Sequence, residues 1–157
     1  MTDPMARLVA DADVLAADLL CGGAARDALD LVRAHEWVTL VASGPLLEDA
    51  EAVIAAVADD ALATNWRSLI APRVEIVEQP AGDHPAIASA YRGEARHVLS
   101  FDDDLRSAAA GTAIRERVET SVKHPAAFAR LFDPASMYET VVGGRYPGPD
   151  RDPRGTG

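Results

Sequence analysis

The sequence predicts an α/β fold, a three-layer α/β/α sandwich with a central parallel sheet. Two observations carry that expectation. Short apolar runs of strand length alternate with longer segments whose apolar residues recur at helical spacing, which is how strand–helix–strand units are written. The chain has 157 residues, 48% of them hydrophobic. That is enough to bury one core beneath such helices, so one domain is expected.

In chain order, "RLVAD" from Arg7 reads as the first strand. Ala24 to His35 reads as a helix, with Ala25, Ala28, Leu29, Leu31 and Val32 at helical spacing. "WVTLVAS" from Trp37 is a second strand, Leu46 to Ala58 a second helix, and Asp60 to Leu69 continues helically. "RVEIVEQ" from Arg73 is a third strand or an edge extension. Pro85 to Arg92 is a helix opened by proline, with Asp83 placed to cap it. "HVLSFD" is a buried strand, Asp104 to Ala110 begins a helix, "ETSVKHP" holds a short strand, and Ala126 to Phe132 is the last short helix. From Gly143 the chain turns to "GGRYPGPDRDPRGTG", Gly, Pro and charge without periodicity. The domain is therefore expected over residues 1–142 and a disordered tail over 143–157.

The net charge is −10, from sixteen Asp and nine Glu against fourteen Arg and the single Lys123. An acidic coat almost without lysine resembles proteins of salt-adapted archaea, so a halophilic origin is expected. It lacks the basic patch that usually marks a nucleic-acid surface, although strong salt would weaken such a patch anyway. No stretch approaches the ~20 apolar residues of a membrane span, and "MTDPMAR" lacks a signal-peptide core, so a soluble cytoplasmic protein without a membrane partner is expected. Cys21 is the only cysteine, which excludes an intramolecular disulfide and a cysteine-based zinc site.

The chemistry-bearing residues are acids. In "RLVADADVLAADLL" the apolar run stops at Asp11, and Asp13 follows one residue later. Residues two apart share a face of a strand, so the pair suits a metal site or a nucleophile with its acid; Asp is equally a preferred cap where a strand turns into a helix. In an open parallel sheet, ligands bind outside the carboxyl ends of the strands. Asp11 after "LVA" and Asp102 after "HVLSF" both end strands and converge if those strands are neighbours. Converging carboxylates repel unless a cation neutralises them, and an all-oxygen set suits Mg²⁺ or Mn²⁺. The competing reading of "FDDDL" is a solvated turn with Asp104 capping the next helix. In "SGPLLEDAEAVI", Asp49 borders the buried stripe while Glu48 and Glu51 lie further round.

These stretches resemble the motifs of PIN domains. "VADADVL" is similar to the first, commonly an apolar strand followed by D-T-N-V-L, with Asp11 in the acidic place and Asp13 in the Asn place. "ASGPLLEDAEAVI" resembles the second, a Ser ending strand two (Ser43) and then a helical acid, Asp49 standing where the family usually has Glu. "GDHPAIASAYRGEARHVLSFDDDLRSA" resembles the third and fourth, an Asp opening an Ala-rich helix and then a strand like L-V-T-x-D-x-D-L. Asp83 matches the first of these acids, Ser100 the Thr, Asp102 the next acid nineteen residues on, and Asp104 the last. "SVKHPAAFARLF" resembles the closing strand and the P-x-x-F helix start. The likeness runs from Arg7 to about Phe132.

The resemblance implies metal-dependent phosphodiester hydrolysis, of RNA above all. Asp11, Asp49, Asp83 and Asp102 would hold Mg²⁺ or Mn²⁺, Asp104 would assist, and Asp13, Ser43 and Ser100 would support. It also implies a homodimer and, if the chain is a VapC-like toxin, a cognate antitoxin protein. The alternative, favoured by Asp for Glu at position 49 and by the acidic surface, is a weak or inactive PIN fold that binds RNA or protein. Other chemistries fit less well. "VADADVLA" also resembles the haloacid-dehalogenase D-x-D motif, but that reaction needs a Lys ahead of the last acidic motif, and Lys123 comes after it. A phospho-accepting receiver should end a middle strand with its Asp, whereas Asp49 lies within a helix pattern. No G-x-S-x-G exists, and His35, His84, His97 and His124 fall in turns or at element ends.

Overall fold

The computed structural model describes residues 3–78, 84–111 and 120–153. Five strands form one sheet: β1 (Arg7–Ala10), β2 (Thr39–Ser43), β3 (Glu75–Val77), β4 (His97–Leu99) and β5 (Ser121–Lys123). Their order is β3-β2-β1-β4-β5 and every pairing is parallel. Among the described residues eight α-helices join them: α1 (Ala12–Leu20), α2 (Gly23–Arg33), α3 (Gly44–Val57), α4 (Asp60–Ile70), α5 (Pro85–Arg92), α6 (Asp103–Gly111), α7 (Pro125–Leu131) and α8 (Pro134–Val141). The fold is the predicted α/β/α sandwich around a parallel sheet. None of the described helices is long and apolar enough to cross a membrane.

The register fixes which side chains share a face. Leu8 pairs with both Leu40 and His97, Val9 with Val98, and Ala10 with Leu99. Leu8, Ala10, His97 and Leu99 therefore point to one side, and Arg7, Val9 and Asp11 to the other. On the Val9 side lies α5: its Ser89 hydroxyl bonds to Ser43, and a Cβ on Gly93 would overlap the Val41 side chain, so the helix end touches the sheet only because residue 93 is glycine. On the Leu8 side Phe128 of α7 packs edge-on against His97, α2 lies on α7, and α1 contacts both α2 and α3. All four residues of β1 are buried, Arg7 included. Its guanidinium forms an ion pair with Glu75 of the edge strand and donates Nε–H to the Gly93 carbonyl at 2.6 Å.

Most of the described helix starts carry a side-chain cap, α2 after Gly22 being without one. Asp11, Ser43, Asp59 and Asp133 accept backbone N–H groups opening α1, α3, α4 and α8. At α5 the cap is His84, whose Nδ1 accepts from the Ala86 N–H at 3.2 Å, and His124 does the same for α7 at 3.0 Å. The expected cap at Asp83 is thus displaced by its neighbour, and Asp83 itself lies outside the described residues. At α6 the cap is Asp102 rather than Asp104: its Oδ1 accepts the N–H groups of Asp104 and Leu105.

The tail differs from expectation. The last helix is α8, not α7, and residues 143–153 pack back on the body rather than leaving it. Tyr146 meets His35 through its hydroxyl, 2.5 Å from Nε2, and its ring packs on those of His35 and Tyr138. Backbone N–H groups of Asp150 and Arg151 donate to the Ala34 carbonyl, and the Glu36 N–H donates to Asp150. His35, expected in a turn, is 1% exposed. Local composition predicted disorder because the docking partners lie 111 residues away in sequence.

Two outcomes follow from this packing. Leu99 is wholly buried at the centre of the sheet, so Leu99→Ala should cost about 2–5 kcal/mol in chemical denaturation; a loss below about 1 kcal/mol would mean β4 is misplaced. Deleting residues 143–157 removes a part-buried hydrogen bond and the aromatic contacts of Tyr146, and should lower the melting temperature by about 2–8 °C. An unchanged melting curve would show that the docked tail adds nothing.

Candidate functional site

Because β1 and β4 are neighbours, Asp11 and Ser100–Asp102 leave the sheet side by side at its carboxyl edge, and the Asp11 N–H still donates to the Leu99 carbonyl at 2.8 Å. Asp11 is 8% exposed. Its Oδ1 accepts the Ala12 N–H at 2.8 Å and its Oδ2 accepts the Ser100 hydroxyl at 2.8 Å. Asp11 caps α1 with one oxygen and faces β4 with the other.

Ser100 is the hub of the arrangement. It is fully buried, donates its N–H to the Lys123 carbonyl at 3.0 Å, and accepts the Arg106 guanidinium on its own carbonyl at 3.0 Å. Its hydroxyl donates to Asp11 while its oxygen accepts the Asp102 N–H at 3.0 Å. One side chain thus couples β1, β4 and the start of α6. The Asp102 carboxylate is exposed at that start, and Asp104, also exposed, follows in the first turn of α6.

Asp13 is drawn into the same group. Its Oδ2 accepts the Phe101 N–H at 3.2 Å, tying α1 to the end of β4, and its Oδ1 is buried with no hydrogen-bond partner among the described residues. Burial and, next, the negative charge of Asp11 push its carboxyl above the usual carboxylate range, with Asp102 adding a little; N–H groups of Val14 and Phe101 oppose the rise. A cation beside these acids is Arg106, one turn along α6 from Asp102, and it is committed to the Ser100 carbonyl and to Asp103.

The remaining expected residues are placed unevenly. Ser43 caps α3 through Leu46 at 3.2 Å and meets the Ser89 hydroxyl at 2.9 Å, so it is a buried structural contact one strand away. Asp49 is exposed in the second turn of α3, and no hydrogen bond or ion pair joins it to Asp11, Asp13 or Asp102. Asp83 falls outside the described residues. Among the described residues no three His, Cys, Asp or Glu side chains stand close enough to hold a metal ion. Sequence reasoning missed Arg106 and Ser89. Arg106 carries a readable signal, three residues after Asp103 on a helix; Ser89 carries none, since one serine in an Ala-rich helix looks like any other.

The chain belongs to DUF7384, a family of unknown function, which matches residues 2–154. No curated protein and no solved structure matches it.

The raised Asp13 carboxyl has a signed consequence. The folded state holds this proton to higher pH than the unfolded chain, so stability falls as pH rises from the ordinary carboxylate value through the raised one. At neutral pH the ionised group is a cost. Asp13→Asn keeps an acceptor for the Phe101 N–H and offers its amide to the neighbouring acids. It should therefore raise the melting temperature at pH 7, with the gain closing below about pH 4. A gain that is equal at all pH values, or a loss at pH 7, would contradict this.

Proposed function

We propose that this chain is a PIN-like metal-dependent nuclease that hydrolyses phosphodiester bonds, with RNA as substrate. The observation that supports the reading is that Asp11, bonded to the Ser100 hydroxyl, and Asp13, bonded to the Phe101 N–H, stand beside the turn of Asp102 at the carboxyl ends of adjacent parallel strands, where an α/β sheet binds its ligands. The donor chemistry fits a hard divalent ion. The acids offer only oxygen, the Asp13 Oδ1 is buried without a hydrogen-bond partner among the described residues, and the Arg106 charge is engaged by Asp103.

Asp11 and Asp102 would hold Mg²⁺ or Mn²⁺, with Asp83 and Asp49 completing the set as the motif likeness implies and Asp104 assisting. When bound, such an ion supplies a water of lowered pKa and neutralises charge on the phosphate. The chain's own contribution is positional. The Ser100 hydroxyl fixes the rotation of the Asp11 carboxylate, and the Asp102 N–H on the same oxygen keeps the start of α6 in step with it. Asp13 anchors Phe101 and with it the turn carrying Asp102. A homodimer and an antitoxin partner belong to the same reading. The exposed position of Asp49 favours a second one, in which the fold binds RNA or protein without cutting.

A labelled RNA pool incubated with Mn²⁺ in molar KCl tests the proposal. The wild-type chain should cleave it; Asp11→Asn and Asp102→Asn should abolish cleavage while leaving metal-free stability unchanged or raised, because each relieves repulsion and Asn remains a good cap. Asp13→Asn should retain most activity. Cleavage and Mn²⁺ affinity unchanged in Asp102→Asn would reduce the acids to turn residues, and RNA binding without cleavage would favour the second reading.

A further inference from the structure

A second feature lies away from the acids, on the opposite side of the sheet. By register Leu99 pairs with Lys123 and His97 with Ser121, so His97 and Lys123 lie on the face that carries Leu8 and Leu99. Parallel strands are covered on both faces and are normally apolar, so an imidazole and an ammonium on that face call for a reason. Both line a cleft of about 290 Å³ between the sheet, the α7–α8 pair and the turn at Met5. Its walls are Met5, Phe128, Phe132 and Met137, and neither Asp11, Asp13 nor Asp102 borders it.

The polar groups of the cleft are unequally engaged. His97 donates Nε2–H to the Met5 carbonyl at 3.1 Å, since a carbonyl can only accept. Burial first, and the Lys123 charge second, hold its imidazole below the ordinary histidine value. Asp133 borders the cleft, but its oxygens take the N–H groups of Ala135 and Ser136 and the Ser136 hydroxyl. The Lys123 side chain makes no hydrogen bond or ion pair with any described residue, Asp133 included. The chain's only lysine therefore stands half-buried in a mainly apolar cleft, with no direct ion pair among the described residues although the Asp133 carboxylate borders the same space.

We propose that this cleft is a binding site for a small monocarboxylate with an apolar body, the carboxylate on Lys123 and the body between Phe128, Phe132 and Met137. The volume is at the lower end of the range for small-molecule sites, about 300–1,000 Å³, which suits a short acyl or aryl acid rather than a drug-sized ligand. A single ammonium recognises one anionic group as a point charge and the aromatic and thioether walls supply the burial. The site is independent of the nuclease reading and stands or falls without it.

Calorimetric titration of the full chain with hexanoate and with hexanol, which share a body and differ in charge, tests it. Hexanoate should bind at least about tenfold more tightly than hexanol. Lys123→Met should abolish that preference while leaving hexanol binding in place, and Lys123→Arg should restore part of it. Circular dichroism of each variant verifies that it is folded, and the wild-type comparison of the two ligands needs no variant. Equal binding of the two ligands, no binding of hexanoate, or a preference that survives Lys123→Met would each overturn the proposal.

Discussion

The burial of β1 on both faces is the constraint from which the rest of the structure follows. A strand flanked by β2 and β4 and covered by helices above and below has no solvent to satisfy a polar side chain. Leu8, Val9 and Ala10 meet that condition by being apolar, and Arg7 meets it by ion-pairing with Glu75 across the intervening strand and bonding to the end of α5. The same condition forces the first acid to wait until the strand ends. Asp11 stands at that end, where α1 offers an N–H and Ser100 a hydroxyl. Sheet order, the seat of α5 and the position of the acids are three results of one burial.

Charge at that end is balanced by geometry more than by counter-ions. Among the described residues Asp11, Asp13 and Asp102 lie near one another beside the guanidinium of Arg106, which is already held by Asp103. What offsets the repulsion is hydrogen bonding: N–H groups of Ala12, Phe101, Asp104 and Leu105 and the Ser100 hydroxyl all donate to these carboxylates. Donors of that kind stabilise the ionised form without cancelling its charge. Asp13, whose Oδ1 is buried with no hydrogen-bond partner among the described residues, is the acid on which the residual cost falls.

The elements legible in the sequence were those set by local rules. β1, β2 and β4 read correctly because buried strands are short apolar runs bounded by turns, and α2, α3 and α5 because their apolar spacing is helical. The edge strand was overextended: "RVEIVEQ" looks uniform, yet Ala71–Arg73 forms a 3-10 turn and only Glu75–Val77 pairs, since nothing but the partner strand decides where an edge begins. The capping role of Asp11 and its meeting with the "FDDD" turn were both readable, from strand ends alone. The docked tail was not, because Tyr146 and His35 are complementary only in three dimensions. α8 could have been found from Asp133-Pro134, a cap followed by a helix-opening proline.

The bias of fourteen arginines against one lysine acquires a structural meaning once the contacts are compared. Arg33 binds Asp18 with both terminal nitrogens, at 2.7 and 2.8 Å, and reaches Asp30 as well. Arg26 spans the carbonyls of Asp18 and Leu19 at the end of α1, Arg7 joins Glu75 to Gly93, and Arg106 joins Asp103 to Ser100. Each is a fork that ties two elements or two acceptors together, which a compact ammonium cannot do. Forked, partly buried pairs are also screened less by salt than exposed ones, so an acidic chain held together this way keeps its internal ties where simple surface pairs would weaken. Lys123 is the exception in chemistry as in number. Its side chain makes no hydrogen bond or ion pair among the described residues and lines a cleft walled by Met5, Phe128, Phe132 and Met137.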